Sequence, residues 1–325
     1  MSVGTVIKRE ALRLSPSYHS VDVQSKAIVL LGLNSILDLS FKHPDAQTAF
    51  FRRAQWKQLR AHYPLKKYSI GDYTHISEFF SSIRDIYNKK KSFDVNWLNL
   101  YKELKRLDAK YDPNIEATHN DLNFCVHLML QIISIIKYQP SLFEDQVDFS
   151  EWDFVVKFWG VVTERLFHAT DLRLKWGDTH LTVSDLLFKV DTRILHDKVR
   201  QRYNAETDIG VCEAAEEDPG NAKYIGDRCK VMIESKAVID RFVLDGCLID
   251  SVDSLQVGGL EVHFDNTSLA ESGLYIGTQF YSATIGKSLS DLSKYLDLAF
   301  HLLCFCDQCV SISKLYEDRL NSTQV

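Results

Sequence analysis

The chain has 325 residues, of which 45% are hydrophobic and 25% charged; that is enough apolar content to bury a core and excludes a disordered tail. Only 14 Gly and 6 Pro exclude collagen-like and proline-rich linker classes. Residues 1–150 carry a net charge of +4 and residues 151–325 one of −10, a split that suits docking of one half on the other or a nucleic-acid patch on the front, while a pI near 6.0 excludes a whole-surface electrostatic grip on DNA.

The front half reads as helices. Phe50, Phe51 and Trp56 alternate with Arg52, Arg53, Lys57 and Arg60 between Gln47 and His62; a helix there buries its rings and solvates its cations. Ile76, Phe79, Phe80, Ile83 and Tyr87 recur at helical spacing before Lys89-Lys90-Lys91, which reads as a solvated helix end. A third helix starts near Asp94 with a stripe of Trp97, Leu100, Tyr101, Leu104 and Leu107, and stops at Asp112-Pro113. A fourth, Asn120 to Tyr138, is apolar almost all round and therefore central.

Near residue 148 the pattern changes, which sets the expected division: a helical domain over 1–148 and an α+β domain over 149–325. Ser150 and Asp153 have capping-box spacing. The helix they open carries Phe158, Trp159, Val162 and Leu166 on one face. Strict alternation follows at Leu172, Leu174 and Trp176, with Gly177-Asp178 as a turn. Strands are expected over 187–195 and 207–215. After Asp218-Pro219-Gly220 comes a helix over about 223–245, its buried stripe Ile225, Cys229, Met232, Ile239 and Phe242, its polar face Lys223, Asp227, Lys230, Glu234 and Arg241, its stop Gly246. Two strands, 255–264 and 274–285, and a last helix from 290 to 316 complete a mixed-sheet α+β order.

No phosphate-binding Gly-rich loop, dinucleotide fingerprint, Gly-x-Ser-x-Gly elbow or His-Glu-x-x-His occurs, which lowers the standing of nucleotide-dependent transfer, serine hydrolysis and zinc proteolysis. The first ten residues lack a secretory pattern, and seven cysteines, an odd number, suit a reducing compartment. An intracellular protein, cytoplasmic or nuclear and not in a membrane, is expected. Cys304-x-Cys306-x-x-Cys309, with His301 before it, has metal-ligand residue types. On a helix those offsets turn the thiols around the cylinder, so buried free thiols are expected.

Asp191, on the polar face of one strand, and Glu213, at the end of the next, are placed to offer two hard oxygen donors to a divalent cation. The run Phe188-Lys189-Val190-Asp191, then Val211-Cys212-Glu213-Ala214-Ala215, then a long charged helix, resembles the PD-(D/E)XK nuclease superfamily. Closer still is the resemblance to a fungal protein group with Gly-Glu-like (Gly177-Asp178), Val-Asp-x-Arg (Val190 to Arg193) and Asp-Arg-x-Lys (Asp227 to Lys230) segments. The resemblance implies a restriction-endonuclease-like core of helix, three strands, helix and strand over residues 150–312. It also implies Asp191 and Glu213 as Mg²⁺ ligands and a metal-dependent nucleic-acid phosphodiesterase. The sequence departs from the pattern at Ala215, where the motif has Lys, and at Val190, where it has Pro. Some members carry that Lys on the following helix, which points to Lys230 and next to Lys236; Glu164 resembles an extra helical acid. The departure also supports the alternative, a fold kept for protein or nucleic-acid interaction without catalysis. Asp191 and Glu213 are expected side by side on antiparallel strands, with Lys230 paired to Glu234.

Overall fold

The computed structural model describes residues 2–40, 46–88, 93–111, 117–144, 149–181, 189–196, 206–215, 220–289 and 292–322. The Lys89–Lys91 run, Asp112-Pro113, Phe188 and Asp218-Pro219 lie outside them.

In the front segment, α1 (Val3–Leu14) and α2 (Val23–Leu33) lead into strand β1 (Ile36–Asp38), followed by α3 (Arg53–His62), α4 (Thr74–Asn88), α5 (Phe93–Asp108) and α6 (Ala117–Tyr138). Asp22 caps α2 by accepting the Ser25 N–H at 2.8 Å, so the first turn finds the partner its backbone lacks. On α3, Trp56 and Leu59 pack with Phe50 and Phe51 on a small core around Ile7 and Leu37. Arg53, Lys57 and Arg60 stay exposed.

Helix α7 spans Glu151–Phe154, a π turn Val155–Trp159 and Gly160–Phe167. Its entry is a capping box, Ser150 with Asp153. The π turn closes through the Gly160 N–H to the Val155 carbonyl. A Cβ at position 160 would stand 2.7 Å from that carbonyl oxygen, so glycine is what lets the turn widen there.

The remaining elements are β2 (Leu172–His180), β3 (Lys189–His196), β4 (Asp208–Ala215), α8 (Gly220–Leu244), β5 (Ser251–Gly258), β6 (Glu261–Glu271), β7 (Leu274–Thr284) and α9 (Leu292–Ser322). The strands form one mixed sheet in the order β1-β7-β6-β5-β4-β3-β2. Pairing is antiparallel except β4–β5 and β1–β7. An α+β architecture is therefore what the chain adopts.

Three expectations need correction. Gly177-Asp178 does not end a strand: β2 continues to His180 through a register shift between Trp176 and Thr179, with Gly177 at φ +95°, a backbone that glycine enters at low cost. The single strand expected over 255–264 is the end of β5 and the start of β6. Gly259-Leu260 turns the chain, with Gly259 at φ +56°, so three strands follow α8. Strand β1 was not foreseen, because three residues are too few to show a period.

Strand pairing also crosses the boundary expected at 148/149, since β1 pairs with β7. Lys66 and Tyr68 bond Asp253 on β5, and Asp38 bonds Arg228 on α8. Alternation on β4 assigns the two sheet faces. Gly210 faces Cys309 of α9, while Val211 packs with Ala237 of α8. By length and composition α9 is the one helix among the described residues long and apolar enough to cross a membrane; 61% of its most apolar window is buried within the protein, as in a core helix.

Candidate functional site

Strands β3 and β4 pair from Leu195↔Asp208 to Thr192↔Cys212. One step further stand Asp191 and Glu213, and there side chains continue the ladder. Asp191 Oδ2 accepts the Ala214 N–H at 2.9 Å, and Glu213 Oε1 accepts the Asp191 N–H at 3.4 Å. On its other edge β4 stays paired, Glu213 opposite Gln256. The two carboxylates are thus side by side on neighbouring antiparallel strands, as the sequence reading expected.

Helix α8 supplies the rest. Lys223, Asp227, Lys230 and Glu234 are spaced by four, three and four residues and share one stripe. That stripe turns to the sheet. Lys230 Nζ donates to Glu213 Oε2 at 2.5 Å, so its bonded partner is Glu213 and not the expected Glu234. The expected solvated polar face is also overturned: Glu234 is fully buried and Glu213 nearly so. Ala237, next on the stripe, sits in the small core of Val190 and Val211; packing that helix face against the sheet draws the charged groups inward with it.

Carboxylates outnumber ammonium groups here, and burial decides their protonation. Burial, then Glu234 and Asp191, push the Glu213 carboxyl far up, against the pull of Lys230. Burial likewise raises Glu234 to about 8, with Lys230 and Glu213 working the other way. Neither Glu234 oxygen has a hydrogen-bond partner among the described residues, so the buried carboxyl keeps its proton at neutral pH. Asp227 rises to about 6 through burial, offset by Lys223 and Lys230 and reinforced by Asp191 and Glu151. For Lys230, burial alone would lower the pKa; Glu213 at its tip outweighs this and the net shift is upward. The ammonium is therefore held charged.

The donor set bears on the Mg²⁺ implied by the resemblance. Two adjoining carboxylates from neighbouring strands suit a hard cation that keeps most of its waters. Among the described residues no group of three or more His, Cys, Asp or Glu is arranged to hold a metal ion, so a closed protein cage does not fit. Asp191 and Glu213 are the two carboxylates such an ion would use.

Other candidates fall elsewhere. Lys236 bonds Asp240. Glu164 accepts the Trp176 indole N–H at 2.5 Å, and Trp176 pairs with Thr192, whose side chain points to the sheet face opposite that of Asp191. The helical acid that acts on the cluster is instead Glu151, bonded to Lys223 at 2.9 Å. Ala215 is buried. All seven cysteines are free and buried; the Cys306 thiol faces the Leu166 carbonyl while Cys309 lies against Gly210. Sequence reasoning missed Glu234, Asp227 and Glu151 as members of the cluster. Their common stripe with Lys230 was the available signal for the two on α8.

Arg228, two residues from Lys230, anchors a second buried cluster. Its guanidinium donates to both Asp38 oxygens, at 2.9 and 3.1 Å, and to Asp265.

Neither a protein-family model, nor a curated protein, nor a solved structure matches this chain.

Proposed function

We propose that this protein is a metal-dependent phosphodiesterase acting on nucleic acid, built on a restriction-endonuclease-like core that runs from α7 to β5. The observation that carries the reading is the convergence of Asp191, Glu213 and the Lys230 amine where the β3–β4 ladder ends. The order α7-β2-β3-β4-α8-β5, with β2, β3 and β4 as an antiparallel meander, is the element order the resemblance implies and supports it further. Lys230 stands in for the amine missing at Ala215.

Asp191 and Glu213 are the residues that would hold Mg²⁺, which when bound supplies charge neutralisation and a more acidic water. Asp191 is oriented by the Ala214 N–H, and Glu213 by the Asp191 N–H and Lys230. The Lys230 ammonium is aimed at the place where phosphate charge develops, a role that does not require it to lose its proton.

The test is cleavage of single- and double-stranded DNA and RNA in Mg²⁺ or Mn²⁺. Loss of about 100-fold or more is expected for Asp191→Ala, Glu213→Gln and Lys230→Ala, with circular dichroism reporting the fold. A second reading, a non-catalytic interaction protein that retains the fold, is favoured by the burial of Glu213 and by Ala215. Absence of cleavage on all four substrates would decide for it.

A further inference from the structure

A groove of about 840 Å³ lies between α6 and α7, with α5 and β2 at its sides. The π turn shapes one wall. Trp152, Val156 and Val161 fall four and five residues apart, so the widened turn brings all three into line, and all three are exposed. Arg165 and His168 continue that line. On the facing helix the line is His127, Gln131, Ser134 and Tyr138. Gln131 reaches across and donates to the Lys157 carbonyl at 2.5 Å, closing the floor between the helices. π turns recur at functional sites because they re-aim a helix face in this way.

Aromatic rings and cations alternate around this space. Trp152 and Tyr138 are 46% and 67% exposed, and Tyr101 and Trp176 are half-buried lining. Among the cations, Arg165 bonds only the Asn123 side-chain oxygen and makes no ion pair among the described residues. Lys105 lies 3.8 Å from Asp108, which is already bonded by His127 at 2.9 Å. Glu164, also in the lining, accepts the Trp176 indole N–H, and Asp108 balances Lys105. The groove therefore offers flat apolar faces beside Arg165, a cation with no ion pair among the described residues. That is the chemistry of a base stack with its phosphate backbone. An apolar peptide would leave the Arg165 charge without a partner. The groove lies on the sheet face opposite the carboxylate pair: Trp176, in its wall on edge strand β2, pairs with Thr192, the neighbour of Asp191.

From this geometry we infer that the α6–α7 groove binds single-stranded nucleic acid, with Trp152 and Tyr138 stacking bases and Arg165 and Lys105 meeting phosphates. This rests on the phosphodiesterase reading only for what happens to the strand once bound.

The test measures anisotropy of fluorescein-labelled 12-nucleotide dT and rU strands with the full chain in EDTA, where metal-dependent cleavage is silent. Trp152→Ala with Tyr138→Ala, both at exposed positions, should weaken binding about tenfold or more, and Lys105→Ala should weaken it and flatten its salt dependence. Lys57→Ala, on exposed α3, should bind as the wild type does. Binding unchanged by the aromatic pair, or reduced only by Lys57→Ala, would overturn the groove assignment. So would wild-type protein that fails to bind either strand at 100 µM. Sedimentation showing a wild-type dimer that Trp152→Ala dissolves would give the groove to a second copy instead. The two readings fail separately. Mg²⁺-dependent cleavage lost in Asp191→Ala but untouched by the aromatic pair leaves the phosphodiesterase and removes the groove. Strand binding lost with the aromatic pair in a protein that never cleaves leaves the groove and removes the phosphodiesterase.

Discussion

Arg228 and Lys230 stand two residues apart on α8, and each anchors a buried ionic cluster, but the two clusters are built differently. Around Arg228 one guanidinium meets two carboxylates, Asp38 and Asp265, with Tyr224 and Gln279 beside them. Its planar fork satisfies both Asp38 oxygens at once, and it joins β1, α8 and β6. Around Lys230 one ammonium faces Glu213, with Glu234, Asp191 and Asp227 close enough to perturb one another. The first arrangement is knit by that fork and structural, even though burial also raises the Asp265 carboxyl. The second holds more carboxylates than it can keep ionised, and the raised pKa values that result are what sites of chemistry display.

The sharpest way to break this comparison is Arg228→Met. It leaves Asp38 and Asp265 buried without their cation, so unfolding in denaturant should show a loss of about 3–5 kcal/mol. A loss under about 1 kcal/mol would remove the structural role assigned to that cluster.

Lys230→Ala should cost less. Glu213 can answer by keeping a proton, so a loss of about 1–3 kcal/mol is expected, together with the fall in cleavage described above. A variant as unstable as Arg228→Met would make Lys230 a structural clamp as well.

A third, smaller effect lies in the pH dependence. Glu234 titrates at about 8 when folded, against 4.5 for an ordinary glutamate. Between those values the folded chain keeps a proton that the unfolded chain has lost, so stability must fall as pH rises. The contribution is whole below about 4.5 and gone above about 8. Asp227, at about 6, acts in the same direction. Thermal unfolding should therefore come at a lower temperature at pH 8.5 than at pH 5.5, and Glu234→Gln should reduce the difference. A wild type equally stable at both pH values would contradict a Glu234 that stays protonated when folded. The least effect is expected from Glu164→Gln, which alters an exposed acceptor of the Trp176 indole. It should change stability by about 0.5 kcal/mol or less and leave cleavage unaltered; a cleavage defect would return Glu164 to the site.

Much of this protein could be read from residue spacing, because spacing records what each element does locally. The stripe Ile76, Phe79, Phe80, Ile83 needs only the helical period to be placed in a core, and α4 spans Thr74–Asn88 with all four buried. The strict alternation at Leu172, Leu174 and Trp176 marked β2, and Gly246, at φ +72°, marked the end of α8. Asp191 and Glu213 could be paired from sequence because two strands with a short connection tend to lie side by side.

What spacing could not show was the other side of each contact. Lys223, Asp227, Lys230 and Glu234 have the composition of a solvated helix face. Only packing α8 between α2 and the sheet turns that face inward, where loss of water makes the carboxylates compete for protons. Arg228 is one charged residue among many in the chain until β1 and β6, from sequence positions 190 and 37 residues away, bring it Asp38 and Asp265. The sequence by itself determined most of the longer elements, their order and the residue types that could do chemistry, since those follow from local period and side-chain inventory. Tertiary structure decided which charges meet, how deeply they are buried and where a groove opens, because desolvation and pairing depend on distant parts of the chain that no local pattern encodes.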